Sequence, residues 1–228
     1  PDFGGQLVYV KEVSKALAEM GIKVDIITRQ INDPNWPEFS SLYDSYPDCD
    51  NLRIIRLPFG GDQFLSKEKL WPHLKEYIDA IAEFYDEEGA FPDFFTTHYG
   101  DGGLAGVLLK EKMETPFSFT GHSLGAQKMD KLNFSRENYD QLLERFKFHS
   151  RIIAERLAME FSNQIIVSTS QERMEQYSHP YYEGAVDVNN DEKFSVIPPG
   201  VNTDVFDGSY SDKTAEMIDQ YLKRDIDN

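Results

Sequence analysis

Apolar positions along the chain recur at two spacings, three to four residues apart in some segments and two apart or contiguous in others. Residues 7–20, LVYVKEVSKALAEM, put Leu7, Val10, Val13, Leu17 and Met20 on one helical face, with Gly21 as the stop. IKVDIIT (22–28) and LRIIRLPF (52–59) read as strands, separated by a turn-rich, acid-rich stretch over 32–51. A long helix over KEKLWPHLKEYIDAIAEFYDEEG carries Leu70, Leu74, Tyr77, Ile81 and Phe84 on its inner stripe. The strand PDFFTTHY, a helix from GLAGVLLKEK, the strand PFSFTGH and a single long helix over 138–161 follow. The strand QIIVSTS, a short helix QERMEQY and the strand KFSVIPPG come next, and the tail DKTAEMIDQYLKRDIDN is again helical in pattern. This alternation predicts an α/β fold, a Rossmann-like parallel sheet with helices on both faces. Right-handed crossovers then bring the C-terminal ends of the strands, and the loops after them, to one edge.

The glycine turn FGGQ (3–6) has the form of a strand-to-helix junction with no strand before it, and the terminal helix lacks a partner. The chain therefore reads as part of a longer protein. At 228 residues, 40% of them hydrophobic, it suffices for one full-sized domain. No apolar run approaches the ~20 residues that span a bilayer, and the opening PDFGGQ does not look like a secretory leader.

Charge narrows the choice of ligand. Forty acids against 23 bases give a formal charge of −17, which argues against nucleic acid or an anionic membrane as partner. Any anionic ligand needs a local group of Lys and Arg set against that field. The one cysteine, Cys49, forms no internal disulfide, reads as an inert surface thiol between acids, and points to the cytoplasm. No spacing of His, Asp and Glu suggests a metal site, and no cofactor is expected.

Two short motifs compete for attention. Gly121-His122-Ser123-Leu124-Gly125 fits the G-x-S-x-G elbow of serine hydrolases, with Ser123 as nucleophile. Only His149 and His179 follow it. The first falls inside a helix and the second in YSHPYY, so the triad order is poorly served. Gly100-Asp101-Gly102-Gly103-Leu104-Ala105 fits G-x-G-x-x-A, but the next strand ends FTGHS without the acid that holds a dinucleotide ribose. A glycine-rich helix entry facing a ligand remains; NAD binding does not.

The loops GGQ (4–6), PFGGD (58–62), THYGDGG (97–103) and TGHSLGAQK (120–128) share a character: Gly for close backbone approach, with polar side chains beside it. Lys67, Lys128 and Arg151 can bring positive charge to the same edge, as a phosphate requires. Lys128, among loop residues, favours the ligand role, while other candidates have a plainer reading. Lys67 lies in the solvated run SKEK, Arg151 can form an exposed i,i+4 pair with Glu155, and His98 reads as a packed strand-end histidine. His122, between Gly and Ser, is the better candidate for ligand contact.

Together PDFGGQLVYVKEVSKALAEMG, TTHYGDGGLAG, FTGHSLGAQK, ERFKFHSRIIAER, IIVSTSQE and VIPPGVNTDVF resemble the N-terminal half of the sucrose-phosphate synthases, retaining GT-B glycosyltransferases of family 4. The resemblance runs in order along nearly the whole chain. It implies an acceptor-binding Rossmann-like domain over residues 1–228, with 198–228 as the start of an interdomain linker. The implied reaction is transfer of glucose from UDP-glucose to fructose 6-phosphate, giving sucrose 6-phosphate. Carried over by motif, Gly5 and Gln6 sit at the cleft floor, His122 lies near the reacting carbon, and Ser123 belongs to the family's HSLG loop rather than to a triad. Lys67, Tyr99, Lys128 and Arg151 then surround the fructose and its phosphate. UDP-glucose falls mainly to the other half, so the isolated chain is expected to be inactive. Relatives commonly carry two consecutive arginines where this chain has Ser150-Arg151, which leaves a related synthase such as a mannosylfructose-phosphate synthase open.

Overall fold

The computed structural model describes residues 5–201, 203 and 216. The chain divides into two units, Pro1–Pro198 and Pro199–Asn228. The expected terminal helix over 212–228 and the turn residues Phe3 and Gly4 lie outside the described residues, Glu216 excepted.

The first unit holds two sheets. One contains β1 (Val24–Arg29), β2 (Tyr43–Ser45) and β3 (Leu52–Leu57) in the order β1-β3-β2, with β1 parallel and β2 antiparallel to β3. The other is wholly parallel, in the order β4 (Phe95–His98), β5 (Phe117–Thr120), β6 (Gln164–Val167), β7 (Phe194–Val196). Strand β2 falls in the acid-rich stretch expected to be turns. Its three residues are all exposed, so it carries no alternation of buried positions to betray it.

Side-chain alternation explains how the first sheet is covered. In β1 and β3, Val24, Ile26 and Leu52 face one way and pack with Ala18 of α1 (Gly5–Glu19), while Ile27, Ile55 and Leu57 face the other. That second face meets Ile78, Ile81, Phe84 and Tyr85 of α2 (Leu74–Glu88) and Ala105 and Leu109 of α3 (Tyr99–Met113). Cys49 is a correction: it is buried beside Ala18 and Leu52 rather than exposed. The apolar stripe of α1 is also only partly used, with Met20 76% and Leu7 55% exposed.

Both long helices expected from periodicity are broken, for local reasons. Before Leu74 the chain makes two 3-10 turns, Lys67–Lys69 and Trp71–His73, where Pro72 has no N–H for a continuous ladder. The segment 138–161 divides into α5 (Tyr139–Phe146) and α6 (Phe148–Phe161) at Lys147, whose φ of 49° is left-handed. The short helix expected at QERMEQY is a π-turn over Glu172–Gln176. Between β5 and α5 lies α4 (Gly125–Lys131).

Helix α3 packs closely on both α6 and the parallel sheet because it presents glycines. A Cβ at Gly103 would come within 2.6 Å of Ala158 Cβ, and one at Gly106 within 2.6 Å of the Phe117 ring and 2.7 Å of Thr97 Cγ2. We expect Gly106→Ala to lose about 1–3 kcal/mol through overpacking, read as a lower urea midpoint. An unchanged midpoint would contradict the close packing of α3 on β4 and β5.

Candidate functional site

The strands β4 and β5 end side by side, at His98 and Thr120, and the chain turns sharply after each. Tyr99 (φ 64°) opens α3 and His122 (φ 55°) opens the loop to α4, both in the left-handed region that side chains rarely adopt. The short Ser123 N–H to Gly121 carbonyl bond of 2.6 Å tightens the second turn. These turns aim two aromatic rings at one place. His122 lies 5.6 Å from Tyr99 and 5.1 Å from His98, and Tyr9 of α1 meets both histidines edge-on.

Cations surround the Tyr99 ring. Lys67 Nζ and the Arg151 guanidinium carbon each lie 5.8 Å from its centre. Lys67 is delivered by the loop after β3, which Arg29 shapes from the end of β1. Its guanidinium donates to the carbonyls of Phe59 (2.7 Å), Gly60 (3.0 Å), Gly61 (2.6 Å) and Gln63 (2.8 Å). Gly60 and Gly61 turn that loop at φ of 65° and 77°.

Arg151 is not the exposed i,i+4 partner that spacing alone allows. Its side chain is 10% exposed, its Nε donates to Glu155 Oε1 at 2.9 Å, and its NH2 group donates to the Ser123 carbonyl. Glu155 is fully buried and also accepts from the Gly125 N–H at 2.9 Å and from the Tyr182 hydroxyl at 2.5 Å. Burial pushes the Glu155 carboxyl up, against the pull of Arg151, Tyr182 and the Gly125 N–H, which favour its charge. One carboxylate thus ties α6, the 121–125 turn and the start of α4 together.

Lys128 of α4 places Nζ 3.9 Å from the centre of the Phe146 ring, with the Arg145 guanidinium 5.0 Å from the same ring. Its ammonium is held below the usual lysine range, first by burial and then by the charges of Lys67 and Arg151. Lys67 and Arg151 thus both lie near enough for their charges to act on Lys128. Asp101, in the first turn of α3, adds a carboxylate beside Lys67 and Arg151, and burial raises it despite those cations. Gly5 and Gln6 form the start of α1, and a side chain at Gly5 would meet open space. Ser123 contributes its carbonyl, which Arg151 occupies. The histidines that follow Ser123 lie elsewhere: His149 is exposed on α6, and His179 Nε2 approaches Asp130 at 3.3 Å.

Sequence reasoning missed Tyr9, Asp101 and Arg145 and placed Glu155 only as an exposed partner of Arg151, whereas its reading of His98 as a packed, hydrogen-bonded histidine agrees with the bond to His122. A signal existed for Tyr9, one helical turn beyond Gln6. For Glu155 spacing pointed only to Arg151, because its other partners come from 27 and 30 positions away.

The family model described as "Sucrose synthase first GT-B domain" matches residues 1–226. The chain belongs to this family. A probable sucrose-phosphate synthase of Thermosipho melanesiensis is 55% identical over 218 residues, covering 95% of this chain and 49% of the relative. The sucrose-phosphate synthase of Spinacia oleracea is 35% identical over 208 residues, 77% of this chain and 19% of the relative. Among solved structures, a sucrose-phosphate synthase from Thermosynechococcus elongatus superposes with a TM-score of 0.69 at 27% identity, covering 89% of this chain and 44% of that one. The chain spans about half the length of the Thermosipho relative and of that solved chain. No helix among the described residues is long and apolar enough to cross a membrane.

Proposed function

We propose that this chain is the acceptor-binding part of a sucrose-phosphate synthase and that its site takes fructose 6-phosphate. The observation that carries the reading is the grouping of Lys67 and Arg151 around Tyr99, with Lys128 near enough to interact with both charges, in a chain of net charge −17. Like charges brought together against the overall field repel one another, and a bound dianion removes that repulsion. Arg151 is held rigid by Glu155 and Ser123, so little ordering remains to be done when the phosphate arrives. Lys67 and Lys128 close on the phosphate from other elements. Tyr99, Ser123, Gly5 and Gln6 line the sugar, and His122 stands beside the reacting centre.

In the complete enzyme the donor is UDP-glucose, held mainly by the other half, and the reaction retains anomeric configuration. The contribution of this chain is to hold the acceptor hydroxyl in line with the donor carbon, with fixed dipoles and charges in place beforehand. The enzyme works in the cytoplasm, and the chain alone turns over no substrate.

Isothermal titration with fructose 6-phosphate, fructose and inorganic phosphate tests the reading. The phosphorylated sugar is expected to bind measurably and fructose far more weakly. Equal binding of the two sugars would overturn the phosphate site, and turnover of UDP-glucose by the isolated chain would overturn its proposed division of labour.

A further inference from the structure

His98 has no part in the site as proposed above, yet its ring touches the one histidine that does. Its Nδ1 lies 2.9 Å from His122 Nε2, a direct hydrogen bond between two imidazoles. The rings tilt 30° to one another, and Tyr9 stands edge-on to both at 71° and 77°. Tyr99 packs against the His122 ring as well, so the pair is caged by aromatic groups on α1 and α3. The backbone adds a second constraint. His98 ends β4 in extended conformation, and His122 is held at positive φ, so neither ring drifts without disturbing its strand end.

We infer that His98 is the positioning residue of His122: the hydrogen bond between them holds one proton and forces both rings into the same tautomer. The reason is elementary. A nitrogen–nitrogen hydrogen bond needs one donor and one acceptor, and each neutral imidazole has one of each. If the shared proton sits on His98 Nδ1, His122 Nε2 is bare and His122 carries its proton on Nδ1. If it sits on His122 Nε2, His98 Nδ1 is bare and His98 carries its proton on Nε2. Both rings are then Nδ1–H, or both are Nε2–H. Burial supports the neutral state of the two rings. It brings His98 down to about 4, with the His122 charge adding to the effect, and it lowers His122 as well.

The consequence reaches the site. Among the described residues the hydrogen bonds of the pair end at its two outer nitrogens, His122 Nδ1 and His98 Nε2. In the Nδ1–H state His122 offers its outer nitrogen as a donor, and in the Nε2–H state as an acceptor. Conversion from the first to the second moves the shared proton from His98 Nδ1 to His122 Nε2. It releases a proton from His122 Nδ1 to the ligand or solvent, and His98 Nε2 takes one up from solvent. His122 cannot change what it presents to a ligand without a matching change at His98.

Long-range proton–nitrogen correlation spectra of the uniformly nitrogen-15-labelled chain at pH 7 read the tautomers directly. The expected result is the same Nδ1–H to Nε2–H proportion at His98 and His122, whether one tautomer or both are populated. Opposite tautomers, or different proportions at the two rings, would overturn the inference. A His98→Phe variant keeps the ring and its contact with Tyr9 while removing both nitrogens. Its His122 is expected to change its tautomer proportion, and an unchanged proportion would also overturn the inference. Should that variant fail to fold, the wild-type spectrum decides alone. The inference rests on the acceptor-site reading only for what His122 faces. The spectra need no ligand, so linked tautomers stand or fall whether or not fructose 6-phosphate binds.

Discussion

Glu155→Ala is expected to cost about 3–5 kcal/mol of folding stability, the range for removing one partner of a buried ion pair. The substitution deletes the acceptor for three donors at once: Arg151 Nε, the Gly125 N–H and the Tyr182 hydroxyl. Arg151 is left with its charge almost wholly out of water and the Ser123 carbonyl as its remaining hydrogen-bond acceptor among the described residues. Glu155→Gln discriminates between loss of charge and loss of the acceptor. Its amide oxygen can still accept from Gly125 and Arg151, so it is expected to lose distinctly less than alanine. Urea denaturation of the three proteins checks this. A loss of less than about 1 kcal/mol for alanine, the worth of a surface pair, would mean that Glu155 is not the centre of a buried network.

That network also marks the limit of what the sequence could reveal. The alternation of helices and strands and the placement of loops at one sheet edge follow from periodicity, because one-sided burial imprints itself on spacing. Strand β2 is exposed on both faces and leaves no imprint. The break at Lys147 escapes for another reason. A left-handed residue at a helix junction is usually glycine, and here the lysine backbone adopts that conformation between two helices that each continue the apolar pattern.

The site divides in the same way. Lys67, His122 and Lys128 stood out because each sits in or beside a loop with glycine or charge around it, Arg151 because it could bring charge from the long helix, and Tyr99 through the family resemblance. Spacing suggested an exposed pair for Arg151 and Glu155, since i,i+4 separation is the same whether a helix face is wet or dry. Only the packing of α6 beneath the 121–125 turn makes that pair dry. The His98–His122 bond was hidden because it joins two strand ends that are neighbours only once β4 and β5 pair.

Lys128→Gln is expected to weaken fructose 6-phosphate binding by about 10- to 100-fold, the equivalent of one charge-assisted hydrogen bond of about 1.5–3 kcal/mol. Glutamine removes the ammonium that lies over the Phe146 ring, so the cation–π contact goes with the charge while an uncharged polar group remains on the same helix position. Fructose affinity should not move, which separates loss of a phosphate contact from damage to the sugar site. Salt supplies an independent check. Affinity of the wild type for fructose 6-phosphate should fall as ionic strength rises, and the dependence should be shallower in the variant because one cation fewer is screened. Stability should respond in the opposite sense. Lys128 is crowded by Lys67 and Arg151 in the unliganded chain, so removing its charge relieves repulsion and should leave the urea midpoint unchanged or slightly higher. A residue that lowers stability while raising affinity is kept for its ligand; a variant with lower stability and unaltered affinity would identify Lys128 as structural and remove the phosphate from this site.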